Sequence, residues 1–149
     1  MADRVATYDR IPNNEQAVLT ALARRRGALN EWIAEQPGGL VHVRAYLDRQ
    51  VSGNTPIQQR PALQRLLTEA RKHTFHLLLV HSLDRLGRSP KVLLEILAAL
   101  EPTEVTLRSA TPSDLPETLS RGQLVAHIGR VANFYYPDHQ QRTLRCRPE

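Results

Sequence analysis

The chain carries one cysteine, Cys146, so it can form neither an internal disulfide nor a cysteine-based zinc cage. Its apolar runs are short, Leu77–Val80 among them, and fall well below the roughly 18 residues that a membrane-spanning helix requires. The residues after Met1 contain no apolar core of the kind a secretory leader uses, and a cytoplasmic location is expected. Lysine is scarce, at two residues, and aromatic side chains make up only 5%. Gly38-Gly39 lacks the spacing of either nucleotide-binding glycine fingerprint, so no cofactor is expected. Internal repeats and low-complexity tracts are missing as well. Membrane-spanning, disulfide-scaffold and zinc-finger classes are thereby excluded.

What remains is 149 residues with 41% hydrophobic and 23% charged content, ordinary values for one folded domain. Such a length buries roughly 68–70% of its unfolded surface, enough for a core without staples. The charge is less ordinary. Twenty basic residues against 15 acidic give +5, and 18 of the 20 are arginine. Arginine's planar fork pairs bidentately with phosphate oxygens and stays ionised at physiological pH. A sequence pI near 10.0 therefore points to a phosphate-bearing partner, nucleic acid first.

Short apolar runs alternate with amphipathic stretches, the pattern of an α/β domain with a parallel sheet. Residues 5–10 alternate and predict a first strand, which Pro12 ends. Asn13 or Asn14 is expected to cap a following helix that shows Val18, Leu22, Leu29 and Ile33 on one face, with a possible break at Gly27. Residues 41–47 predict a second strand, and Pro61 opens a helix with Leu63, Leu66, Leu67 and Ala70 inward. The run at 76–81 predicts a strand covered on both faces, followed by a polar loop at 82–88. Ser89-Pro90 starts a third helix, and residues 104–107 predict a fourth strand. Leu124, Ile128, Val131 and Tyr135 form the stripe of a C-terminal helix that Pro137 stops. The expectation is a sheet of four or five strands flanked by helices, with a domain over residues 1–136 and a polar, arginine-rich tail over 137–149.

Ligands of open α/β sheets sit outside the carboxyl ends of the strands. Three arginine-bearing segments leave strands there: Arg10 after the first, Arg60 after the second, and Asp84-Arg85-Leu86-Gly87-Arg88 after the third. Like charges gathered at one rim repel unless an anion sits between them, and a phosphodiester is the natural occupant. The six histidines give no such cluster; His73 and His76 fall on different elements, and no metal site is expected. Arg24-Arg25-Arg26 is read as a solvated helix face, and Arg142, Arg145 and Arg147 as a candidate DNA-binding arm.

Asp84-Arg85-Leu86-Gly87-Arg88-Ser89 after an apolar strand resembles the signature of the serine recombinases, the resolvase and invertase group. The resemblance continues, in order, through Tyr8-Asp9-Arg10-Ile11, Gln16, Tyr46-Leu47-Asp48, Ser52-Gly53, Arg60-Pro61-Ala62-Leu63 and Val105-Thr106-Leu107. Residues 118–134 resemble the start of that family's long dimerisation helix. The resemblance implies a resolvase-type catalytic domain, in which a serine hydroxyl cuts DNA through a covalent phosphoserine bond. It further implies that Arg10, Arg60, Arg85 and Arg88 hold the scissile phosphate, with Asp84 orienting the cluster or assisting the leaving oxygen and Gln16 as a supporting polar contact.

One departure is decisive for chemistry. Where the family has its serine nucleophile, two residues after the arginine, this chain has Pro12, and no serine precedes Ser52. Proline has no hydroxyl with which to attack phosphorus. A second glutamine usual in the first helix is also missing near Thr20-Ala21, and Tyr135-Tyr136-Pro137 interrupts the long helix. The expectation is a catalytically inactive, DNA-phosphate-binding homologue that binds DNA weakly and without sequence preference, as a homodimer or paired with an active relative. The alternatives are an active enzyme using another nucleophile, such as Tyr8 or a partner's serine, and a pure interaction module built on the Leu124–Tyr135 stripe.

Overall fold

The computed structural model describes residues 3–111 as an α/β domain. Four strands, β1 (Arg4–Ile11), β2 (Val41–Arg49), β3 (Leu77–Val80) and β4 (Thr106–Ser109), lie in the order β2-β1-β3-β4 with every pairing parallel. Helices α1 (Gln16–Glu35), α2 (Pro61–Arg71), α3 (Leu83–Leu86) and α4 (Pro90–Leu100) make the crossovers. The tail and the C-terminal helix stripe expected from sequence lie outside the described residues.

Alternation along β1 sorts the two faces. Ala6 and Tyr8 point into the larger core, where α2 contributes Leu63, Leu66 and Leu67, and α4 contributes Leu93, Ile96 and Leu100. Val5 points the other way, joining Leu79 against Leu29, Trp32 and Ile33 of α1. The run at β3 is buried from Leu78 to Val80, as a strand with helices on both faces must be. Helix starts follow the sequence cues: Pro61 and Pro90 sit in first turns, and the Ser89 hydroxyl accepts a hydrogen bond from the Val92 amide.

Four local expectations need correction. Helix α1 runs through Gly27 unbroken, because Leu22 and Leu29 on either side of it are both buried anchors. Its N-cap is Glu15 rather than an asparagine; Asn13 instead accepts from the Glu15 amide, shaping the turn before the helix. The segment after β3 is not simply a loop: Leu83 and Leu86, three apart and both buried, wind one helical turn. Strand β4 begins at Thr106, two residues later than expected, because residues 101–103 form a 3-10 turn and Glu104 adopts a left-handed backbone at φ 62°.

Among the described residues no helix is long and apolar enough to cross a membrane. Within the same residues, no group of three or more histidines, cysteines or acidic side chains is placed to hold a metal ion.

Candidate functional site

The order β2-β1-β3-β4 places β1 and β3 side by side at the centre, and the chain leaves them in opposite directions, to α1 and to α3. A crevice at the carboxyl ends of such strands is the usual ligand position in open α/β sheets. An open cleft of about 360 Å³ lies there, with Arg10, Pro12, Arg25, Ser52, Arg85 and Arg88 in its lining. Helix α1 supplies the facing wall through Ala17, Val18 and Ala21.

Arg10 forms the floor. Near the end of β1 it is only 2% exposed, and its Nη2 donates to the Asp84 carbonyl at 2.6 Å. Its Nε is buried with no hydrogen-bond partner among the described residues. Burial, then the neighbouring charges of Arg85, Arg88 and Arg60, lower its pKa to about 10, with Asp84 opposing. The guanidinium is still charged at neutral pH, and it is held in a place that disfavours that charge.

Arg85 leans across the same strand end, its Nη1 donating to the Arg10 carbonyl at 3.3 Å. Its guanidinium lies 3.7 Å from a carboxylate oxygen of Asp9 and 3.7 Å from one of Asp84. Asp84 accepts a short hydrogen bond from the Ser82 hydroxyl. Burial works against its ionisation, but that hydrogen bond and the charges of Arg85, Arg10 and Arg88 hold its carboxyl below the usual range. Arg88 is exposed on the cleft rim, and its amide donates to the Gly53 carbonyl at 2.9 Å. A Cβ on Gly53 would lie 2.4 Å from Arg88 Cγ and 2.6 Å from Arg10 Nη2, so only glycine lets both arginines pack over this loop.

The structure adds a pair that sequence reading missed. Asp9 faces α1, opposite to Arg10 along β1, and receives Arg25 through Nε at 2.7 Å and Nη2 at 3.1 Å. Arg25 is thus a half-buried wall of the cleft, not part of a solvated face. The available signals were an acid on the α1-facing register of β1 and an arginine run on the helix that covers it.

Arg60 departs from its expected place on the rim. It is fully buried, with Nε at 3.2 Å and Nη2 at 2.8 Å from the Tyr8 hydroxyl, and its Nη1 has no partner among the described residues. Tyr8 in turn donates to Asp48 Oδ2 at 2.7 Å. Asp48 also accepts from the Ala62 and Leu63 amides, which caps α2 from a strand away. Burial drives the Tyr8 phenol far above its ordinary pKa, with Arg60 the main opposing influence. The Tyr8 hydroxyl is therefore part of the core. Gln16 is exposed at the first residue of α1, donates to Thr20, and is not among the cleft-lining residues.

A family model described as "Resolvase, N terminal domain" matches residues 5–147. The chain belongs to the resolvase N-terminal domain family. No curated protein matches this resolvase-family chain by sequence. Solved structures do. A resolvase family site-specific recombinase from Streptococcus pneumoniae is similar over 96% of this chain and 94% of its own, with a TM-score of 0.70 at 17% identity. The N-terminal catalytic domain of TP901-1 integrase matches over 89% of this chain and 95% of its own, with a TM-score of 0.60 at 21% identity. The C-terminal catalytic domain of ISC1926 TnpA, an IS607-like serine recombinase, gives a TM-score of 0.60 at 21% identity, covering 72% of this chain and 70% of that one. Identities this low show a shared fold. With the family match, they make this resolvase-family domain a relative of serine recombinase catalytic domains.

Proposed function

We propose that this domain binds the phosphodiester backbone of DNA in the arginine cleft and does not cut it. The observation that carries the reading is the company of Pro12. It lines the cleft together with Arg10, Arg85 and Arg88, and the sequence resemblance sets it where the serine recombinases carry their nucleophile. The electrostatics for holding a phosphate are present, while Pro12 offers no hydroxyl to attack phosphorus. Four cleft guanidiniums, of Arg10, Arg25, Arg85 and Arg88, face two carboxylates, of Asp9 and Asp84, leaving an excess of two positive charges. Such an excess at a partly dehydrated strand end favours an anionic occupant. Arg10, Arg85 and Arg88 contact the phosphate in this reading, and Asp84 holds the arginines in place; Arg60 stays in the core against Tyr8.

Binding to a labelled duplex at low and moderate salt tests it, with Arg85→Ala alongside. Affinity that falls with salt, and falls further in the variant, is expected from counterion release at phosphate contacts. Binding indifferent to both would overturn the reading. The inactivity is tested separately on a denaturing gel: the unaltered chain is expected to leave no covalent protein–DNA adduct, whereas Pro12→Ser gives a trace of one. Loss of a covalent nucleophile costs on the order of 10⁶ in rate. An adduct from the unaltered chain would refute inactivity, and Ser52→Ala would then show whether the cleft's own serine is responsible.

A further inference from the structure

The two walls of the cleft differ in chemistry in a way that a bare phosphate does not use. One wall is cationic, built from Arg10, Arg85 and Arg88 beside Ser52 and Gly53; the other carries an apolar stretch, Pro12, Ala17, Val18 and Ala21, next to Arg25, whose guanidinium is engaged by Asp9. The volume, about 360 Å³, falls in the range of small-molecule pockets and exceeds what one phosphate group fills. Buried Arg10, its Nε unpartnered among the described residues, marks the end where charge is wanted. An excess of two positive charges also matches a phosphate monoester, which carries about −1.5 to −2 near pH 7, better than the single charge of a diester.

Resting on the phosphate-binding reading above, we propose that the cleft takes a whole nucleotide bearing a terminal phosphate. The phosphate meets Arg10, Arg85 and Arg88, and the sugar and base lie along the Pro12–Ala21 wall. Proline in place of a serine, and alanine at position 21, make that stretch apolar. The same substitution that removes attack thus creates a surface for a ring. The ligand is either a free mononucleotide or the phosphorylated end of a DNA strand, since both present the same chemistry.

Calorimetric titration of the full chain with thymidine 5′-monophosphate, inorganic phosphate and thymidine tests the proposal. The first two carry similar charge. The nucleotide is expected to bind about tenfold more tightly than phosphate, the ratio that burial of about two methylene-sized groups supplies. Ala21→Gln, which sets a polar side chain on the apolar stretch, is expected to cancel that preference while phosphate affinity is kept. Arg85→Ala is expected to weaken both ligands. A duplex with a recessed 5′-phosphate outcompeting the same duplex without it would assign the strand end as the source; a mononucleotide that binds while both duplexes compete equally would assign the free nucleotide. Equal affinity for nucleotide and phosphate, with Arg85→Ala still weakening both, overturns the nucleotide proposal and leaves phosphate binding intact. If neither ligand binds and DNA does not either, both readings fall.

Discussion

Two arginine–carboxylate networks hang from the same strand, one on each side of the line between core and cleft. In the first, Arg60 is buried, forks onto the Tyr8 hydroxyl and lies 5.3 Å from the centre of its ring, and the Tyr8 hydroxyl donates a hydrogen bond to Asp48. In the second, Asp9 gathers Arg25 and Arg85 beside an open cleft, and among the described residues Arg10 and Arg88 have no carboxylate within salt-bridge distance. The residue types are nearly the same and the outcomes opposite. The inner carboxylate spends its oxygens on backbone amides and a phenol, so it ties a helix to a strand. The outer group keeps a surplus of cations facing solvent, so it can take an anion from outside.

That contrast breaks most visibly at Asp48. Asp48→Ala removes the acceptor for two α2 amides and for Tyr8, and leaves Arg60 buried without compensation; a loss of about 3–5 kcal/mol is expected in denaturant unfolding. Tyr8→Phe keeps the ring and strands its two polar neighbours, for an expected loss of about 1–3 kcal/mol with DNA affinity unchanged. If Tyr8→Phe abolished DNA binding instead, the inner network would belong to the site. Gly53→Ala tests the outer network. Its Cβ has no room beneath Arg10 and Arg88, so displaced guanidiniums are expected to weaken duplex binding about tenfold, or 1.4 kcal/mol. Unfolding of that variant should shift by less than its binding does.

The smallest expected effects are those of pH. The Asp84 carboxyl lies below its unfolded value, so the stability it contributes is complete above the ordinary carboxylate range. That stability fades as pH falls through the folded value. Arg10, lowered to about 10, behaves in the opposite sense: its charged form is disfavoured by folding, so its cost is present at neutral pH and is relieved only as pH rises past 10. Between pH 6 and 8 neither group changes charge, and DNA affinity measured across that interval is expected to be flat. A slope there would mean that a histidine outside the described cleft takes part.

Sequence patterning carried the elements well because their cues are local. Pro61 and Ser89-Pro90 open helices wherever they occur in this kind of context, and the leucine run of β3 has only one way to be buried. Arg10, Arg85 and Arg88 were placed together by a topological rule that needs only strand ends. Arg60 was misplaced because its fate depends on Tyr8 and Asp48, which are 52 and 12 residues away and meet it only once β1 and β2 pair. Arg25 was missed for the same reason: its partner sits on the strand face that α1 covers, and Gly27 made the helix itself look shorter than it is.

The bond from the Arg88 amide to the Gly53 carbonyl has a mechanical consequence. It clasps the segment after β2 to the segment after α3, so two stretches distant in sequence share one edge of the cleft through main chain alone. The facing side is held differently, by side chains: the Asp9–Arg25 fork ties α1 to the end of β1.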